Sequence, residues 1–264
     1  MVSYKKIQME VGKMRVYDFG EIRLHAYQTN DPINDETFIL EKDRRAVVIE
    51  PPCFRNNIKE LTKYIDSNDL NVEGKMISYH AAGSSFLPDV KKYGTETSVK
   101  YNSTGEGKAL IESFTSVFGD AFDGGITMVD EVMNLGKVNI AGIEMNIVST
   151  PDAYNIEIKS INAIYLHMMG HDCHSIVAGK DHADTMISEL QNYIDRNFSL
   201  ILTSHYTPEN LKDADEKIAY LQKVKKIALE CNSPEQFKEA VVKRYPQYSG
   251  DNYLEMTTEL FFSK

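Results

Sequence analysis

The sequence runs to 264 residues, 42% of them hydrophobic and 26% charged, enough to build a full core without disulfide or metal staples. Its 29 Lys plus Arg against 39 Asp plus Glu leave a formal charge of -10, the wrong sign for a polyphosphate or an anionic lipid surface, so neither nucleic acid nor membrane is an expected partner. No apolar run approaches the roughly 20 residues of a membrane span. Met1 to Met14 lacks the apolar centre of a signal peptide, and Cys53, Cys173 and Cys231 are odd in number with no CxxC pair, which together predict a cytoplasmic protein with free thiols.

Four short strands open the chain, over Met14 to Asp18, Ile22 to Tyr27, Glu36 to Leu40 and Arg45 to Ile49. The last is nearly continuous in apolar residues before Glu50-Pro51-Pro52. Ile58, Leu61 and Ile65 recur at helical spacing within Asn57 to Ser67, and a second apolar strand, Gly74 to Tyr79, runs into His80. Strand, helix and strand predict a βαβ unit. Asn102 to Phe118 includes a helix, and Asp123-Gly124-Gly125 marks a turn. Strands follow over Lys137 to Ile140 and Glu144 to Ser149, broken by Thr150-Pro151-Asp152. Ile161 to Met168 and Ser175 to Ala178 read as the arms of a hairpin with Gly170-His171-Asp172 at its tip. A helix over Ala183 to Asn197 precedes a strand from Ser199 to Thr203 that ends near His205. The remainder reads as helix, from Pro208 to Cys231 and again after Ser233-Pro234-Glu235-Gln236, a capping-box arrangement. With no internal repeat or linker, the expectation is one domain over 1–264 with a helical C-terminal extension from about residue 208.

Three strands lead into short polar loops carrying His or Asp, Tyr79 to Ser85, Thr150 to Tyr154 and Ser204 to Thr207, the place where α/β proteins put binding groups. In order and spacing, the strand ending in Glu50-Pro51, the helix, the strand with His80, the Thr-Pro loop, the hairpin ending in Gly179 and the strand into His205 resemble the metallo-β-lactamase-fold superfamily from about Arg15 to His205. The tail after Ser233 looks like the C-terminal extension of some bacterial members. The resemblance implies an α/β fold, a four-layer αββα sandwich with two mixed β-sheets flanked by helices. It also implies a metal-dependent hydrolase ancestry, with an ester, amide, lactone or phosphoester as substrate.

The ligand pattern departs from that family. Where its enzymes carry His-x-His-x-Asp-His, this chain reads His80-Ala81-Ala82-Gly83-Ser84-Ser85, so Ala82, Ser84 and Ser85 replace three ligands. Ala153 stands at the histidine of the Thr-Pro-Gly-His loop, with Asp152 for its glycine, and Lys180 stands at the bridging Asp with Asp181 next to it. His205 matches the final ligand, and Glu50 the acid that supports the first histidine from behind.

A hydrolytic zinc needs three protein ligands and an open position. The first reading is therefore an atypical hydrolase with one divalent ion, zinc, manganese or iron, held by His80, His205 and a third group from Asp152, Asp181 or Glu50. The alternative is a non-catalytic protein that keeps the fold and its cleft. It would bind a small molecule, an anion or a redox cofactor through Lys180, His80, His205, Ser84 and Ser85. Asp152, Lys180, Ser84 and Ser85 are the candidate catalytic residues. A serine nucleophile with His80 and Asp152 lacks the glycine-elbow context. His167, His171, Asp172, Cys173 and His174 form an alternative metal cluster, dense in ligand types. On a hairpin, the six residues from His174 to Lys180 would set it about 20 Å from the ancestral cleft. The expected partners are a small-molecule ligand and, through the C-terminal helices, a second copy in a homodimer.

Overall fold

The computed structural model describes residues 2–262. Contacts group the chain into two compact units, Met1–Met168 with Leu200–Pro208, and Met169–Ser199 with Glu209–Lys264. Residues 169–199 thus group with the helices after residue 208.

The first unit holds both sheets. Eight strands lie side by side in chain order: β1 (Lys5–Gln8), β2 (Lys13–Asp18), β3 (Arg23–Gln28), β4 (Glu36–Lys42), β5 (Arg45–Ile49), β6 (Asn71–Met76), β7 (Lys92–Gly94) and β8 (Glu131–Val132). Neighbours are antiparallel up to β5 and parallel from β5 to β8. The switch follows from α1 (Arg55–Ser67), which carries the chain from the end of β5 back to the start of β6. The second sheet has the order β13 (Leu200–Thr203), β12 (Ala163–Leu166), β11 (Tyr154–Ile158), β10 (Ile143–Ser149), β9 (Gly136–Ile140). Only its β12/β13 pair is parallel.

Alternation along the strands decides the layers. Phe38, Leu40, Val47 and Ile49 point into a core shared with Ile143, Met145, Ile147, Tyr154, Ile156 and Tyr165 of the facing sheet. The intervening Ile39, Ala46 and Val48 pack on the other side against Ile58, Leu61, Tyr64 and Ile65 of α1. The helical spacing of α1 thus buries the stripe that the sequence predicted, and fully buried Leu61 alone contributes about 2 kcal/mol. Among the described residues, two mixed sheets and seven α-helices make this an α/β fold, in agreement with the expected sandwich class.

Two helices, α2 (Glu96–Thr104) and α3 (Glu106–Phe118), occupy the region where one was expected. Gly105 separates them with extended backbone, and Thr95 opens the first through a reciprocal capping box with Ser98.

The second unit contains α4 (Lys180–Asp195), α5 (Leu211–Glu230), α6 (Pro234–Arg244) and α7 (Asp251–Phe262). At α6 the cap is shared: Ser233 accepts from Gln236 N–H, while Gln236 accepts from Asn232 N–H rather than from Ser233. The expected hairpin over Ile161–Ala178 does not form. Its first arm is β12, antiparallel to β11 and parallel to β13. Its second arm bonds elsewhere: His174 N–H donates to Ser249, Ser249 N–H donates to Asp172, and Val177 N–H donates to the Thr257 hydroxyl. These backbone groups find partners near the C-terminus, which local patterning does not reveal.

Candidate metal centre

Three chain segments leave parallel strand ends in the first unit and bring three histidines together. His80 follows β6, His167 follows β12 and His205 follows β13. The parallel register Leu166↔Thr203 places the last two exits side by side, as Ser204 N–H donating to the His167 carbonyl shows. The ring nitrogens available from His80, His167 and His205 lie within 4.8 Å of one another. Nε2 of His80 is 3.3 Å from Nε2 of His167.

The loop that carries His80 is held by Glu50. This residue has a left-handed backbone, φ 56°, and its buried carboxylate accepts from the N–H groups of Ser78 (3.3 Å), Tyr79 (2.7 Å) and His80 (3.1 Å). Tyr165 donates its hydroxyl to the same carboxylate at 2.7 Å and shares a 2.7 Å bond with Ser204. Burial raises the Glu50 carboxyl to about 7, against the four hydrogen bonds that favour its charged form. One side chain thus joins the end of β5, the His80 loop, β12 and the His205 loop.

Two further groups orient the rings. Tyr79 stacks on His167 with centroids 4.2 Å apart and an interplanar angle of 5°, its hydroxyl held by Thr150 at 2.7 Å. Buried Asp35 presents Oδ1 at 3.5 Å from Nδ1 of His80 and 3.3 Å from Nδ1 of His205, and His205 Nδ1 also donates to the Ile33 carbonyl at 3.2 Å. A carboxylate on the Nδ1 side favours the tautomer whose Nε2 lone pair is free to ligate.

All three rings are neutral. Burial first, then the nearby His205 and His167, hold His80 well below the ordinary histidine range. Burial and His205 bring His167 down to about 3, and burial brings His205 to about 4 against the opposing bond to Ile33. The side chains of His80 and His205 remain 18% and 17% exposed, so the group is open to solvent at one edge.

The donor set fits a metal. Tetrahedral nitrogen ligands at about 2.0–2.1 Å from zinc stand about 3.3 Å from each other, the separation found between the His80 and His167 nitrogens. Neutral imidazole is also the form in which histidine binds a metal, and Asp35 lies behind two of the three rings, His80 and His205.

By structure the chain is similar to the inverting sec-alkylsulfatase Pisa1 from Pseudomonas sp., with 13% identity, 90% of this chain and 48% of that one covered, and a TM-score of 0.64. It is also similar to a metallo-β-lactamase family protein from Thermus thermophilus, at 10% identity, 91% coverage of both chains and a TM-score of 0.61. A metallo-β-lactamase from Erythrobacter litoralis matches at 9% identity over 83% of this chain and 100% of that one, TM-score 0.55. The chain has the metallo-β-lactamase fold. It spans about half the length of the alkylsulfatase. No family model and no curated protein matches the sequence.

Within this metallo-β-lactamase fold, the other residues singled out by sequence take different places. Ser84 and Ser85 tie their loop down through backbone N–H groups, to the Gly125 carbonyl and the Asp123 carboxylate. Asp152 is exposed in the turn before β11. Lys180 is exposed at the first position of α4, and Asp181 follows it there. The alternative cluster does not assemble among the described residues. His167 groups with His80 and His205, while His171 groups with Asp213 and Glu216. Asp172 is exposed, and buried His174 bonds the Tyr220 hydroxyl at 3.0 Å. Sequence reading missed His167 as the partner of His80, and missed Asp35 and Tyr79 altogether. The available signal for Asp35 was Asp31-Pro32-Ile33-Asn34-Asp35 between two apolar strands, an acid-rich turn opening a strand whose residues Glu36–Glu41 are all buried. No described helix is long and apolar enough to cross a membrane.

Proposed function

We propose that this protein is a hydrolase-like protein whose single-ion site is formed by His80, His167 and His205. The observation that carries the reading is the approach of three buried imidazoles whose ring nitrogens lie within 4.8 Å of one another, His80 and His167 at 3.3 Å, with Asp35 beside His80 and His205. His80 and His205 are the two expected ligands, and His167 takes the third place that Asp152, Asp181 or Glu50 was expected to fill. A zinc, manganese or iron ion bound there supplies Lewis acidity toward an ester, amide, lactone or phosphoester.

The chain's own groups do the remaining work. Glu50 fixes the His80 loop, Tyr79 sets the plane of His167, and Asp35 lies beside the Nδ1 atoms of His80 and His205. His80 and His205 keep part of their surface exposed, 18% and 17%, where a small molecule would approach. Similarity in fold to an alkylsulfatase and to β-lactamases supports hydrolysis of a small ester or amide. Lys180, on which an anion-binding reading depends, is exposed at the start of α4, so the histidine reading is preferred.

The test is metal content of the untagged protein after exposure to zinc, manganese or iron, compared with His167→Ala. The expected result is bound metal with one equivalent lost in the variant. Absence of metal in the wild type, or an unchanged content in the variant, overturns the reading.

A further inference from the structure

Behind the imidazoles, the turn between β3 and β4 buries two carboxylates beside a thiol from the segment between β5 and α1. Asp31, Asp35 and Cys53 are 6%, 2% and 3% exposed, and each offers a ligand atom within 4.8 Å of the others. The turn is rigid. Asp31 Oδ1 accepts from the N–H groups of Ile33 and Asp35, Thr29 N–H and Oγ1 both donate to the Asp35 carbonyl, and Asn57 anchors the Thr29 carbonyl at 2.8 Å.

These bonds leave specific atoms over. Asp31 Oδ2 and Asp35 Oδ1 are buried without a hydrogen-bond partner, Asp35 Oδ1 having only the two ring nitrogens described above at 3.3 and 3.5 Å. Asp35 Oδ2 accepts from the Cys53 thiol at 3.2 Å. Among the described residues no lysine or arginine pairs with either carboxylate. Two buried acids with unfilled acceptor atoms and no cation beside them are costly when ionised, and burial pushes both carboxyls upward, Asp35 strongly, so each charge calls for a proton or a metal ion. A thiol among those acids selects for a borderline-soft ion, since sulfur and oxygen donors together suit zinc or cobalt rather than magnesium or calcium.

We infer that Asp31, Asp35 and Cys53 form a second transition-metal position, distinct from the three-histidine site and adjoining it through Asp35. Binding displaces to solvent the Cys53 thiol proton and any proton held on the Asp31 and Asp35 carboxyls, and leaves all oxidation states unchanged. Asp35 then faces both positions, with its Oδ1 edge toward the histidine rings and its Oδ2 edge toward sulfur. The inference stands on the buried turn and does not require the three-histidine reading.

Cobalt separates the two positions, because only one of them contains sulfur. The full-length, untagged protein is stripped with a chelator and titrated with Co²⁺, following bound metal and near-ultraviolet absorption. The expected result is a thiolate-to-cobalt charge-transfer band that grows with one equivalent of the bound ion. Cys53→Ser abolishes the band and binds one equivalent less, and Asp31→Asn weakens the uptake that produces the band roughly tenfold. A variant with His80, His167 and His205 all changed to Ala keeps the band. If that variant keeps the band while the wild type shows no sulfur-free equivalent, the three-histidine reading fails and this one stands. No band at saturating cobalt, a band that survives Cys53→Ser, or a band lost with the three histidines overturns the second position.

Discussion

Nε2 of His80 and Nε2 of His167 stand 3.3 Å apart although the residues are 87 positions apart in the chain. Neither loop makes that meeting alone. It depends on Glu50, which grips the backbone at His80 and receives the hydroxyl of Tyr165, two residues before His167. Above about pH 7, where the Glu50 carboxyl is charged, replacing it by Gln removes a charged acceptor from three N–H groups and one hydroxyl. A loss of about 3 kcal/mol is expected, read as a lower urea midpoint. Tyr165→Phe removes one of those bonds and lowers stability by about 1 kcal/mol. A Glu50→Gln protein as stable as the wild type would show that the network does not support the loop.

Stacking on Tyr79 sets the plane of His167. Tyr79→Leu keeps an apolar side chain but gives up the parallel ring contact, so metal affinity should fall roughly tenfold while the fold persists. Isothermal titration with zinc measures this, alongside a circular dichroism spectrum expected to match the wild type. Unchanged affinity would mean that the ring is positioned by its backbone alone.

Gly83 is the residue that lets the His80 loop close. Its φ is +86°, and a Cβ there would lie 2.2 Å from the Pro52 carbonyl oxygen, a backbone atom with little freedom to retreat. Its N–H donates to the Asp123 carbonyl. Gly83→Ala should therefore cost about 2 kcal/mol or more and lower metal uptake as well. Full stability and full metal content in the variant would contradict this packing.

In the second unit, Lys217 is buried and donates to the carbonyls of Gly170 (2.9 Å) and Cys173 (2.7 Å). Burial lowers its ammonium to about 8 from an ordinary 10.5. Below about pH 8 the group is protonated both folded and unfolded and adds no slope. Between about 8 and 10.5 the unfolded chain holds more protons, so stability rises with pH by up to about 1.4 kcal/mol per pH unit. Lys217→Met removes that rise. The difference in unfolding free energy between the two proteins should therefore widen from pH 8 to pH 9.5, and parallel curves would show that the ammonium is not desolvated.

The strands from β2 to β5 were legible because their alternation is local: Phe38 and Leu40 face one core and Ile39 the other. His80 and His205 were legible for a related reason, each lying just beyond an apolar strand. His167 was misplaced into a hairpin cluster because β12 pairs in parallel with β13, whose residues lie 37 positions further on. Sequence patterning marks a strand but not its distant neighbour. Asp35 was hidden for another reason. Acidic residues in a turn ordinarily face solvent, and its burial arises only when the turn folds under the histidine loops.

The histidines also come from opposite sheets. His80 leaves β6 of the eight-stranded sheet, whereas His167 and His205 leave β12 and β13 of the other. The bite of the three rings is therefore governed by how far apart the sheets are kept, which is set by Met76, Tyr165 and Leu202 in the core between them. On the proposed three-histidine reading, trimming one of these side chains would change the gauge of the ligand set without touching a ligand, and metal selectivity would then depend on sheet spacing as much as on histidine chemistry.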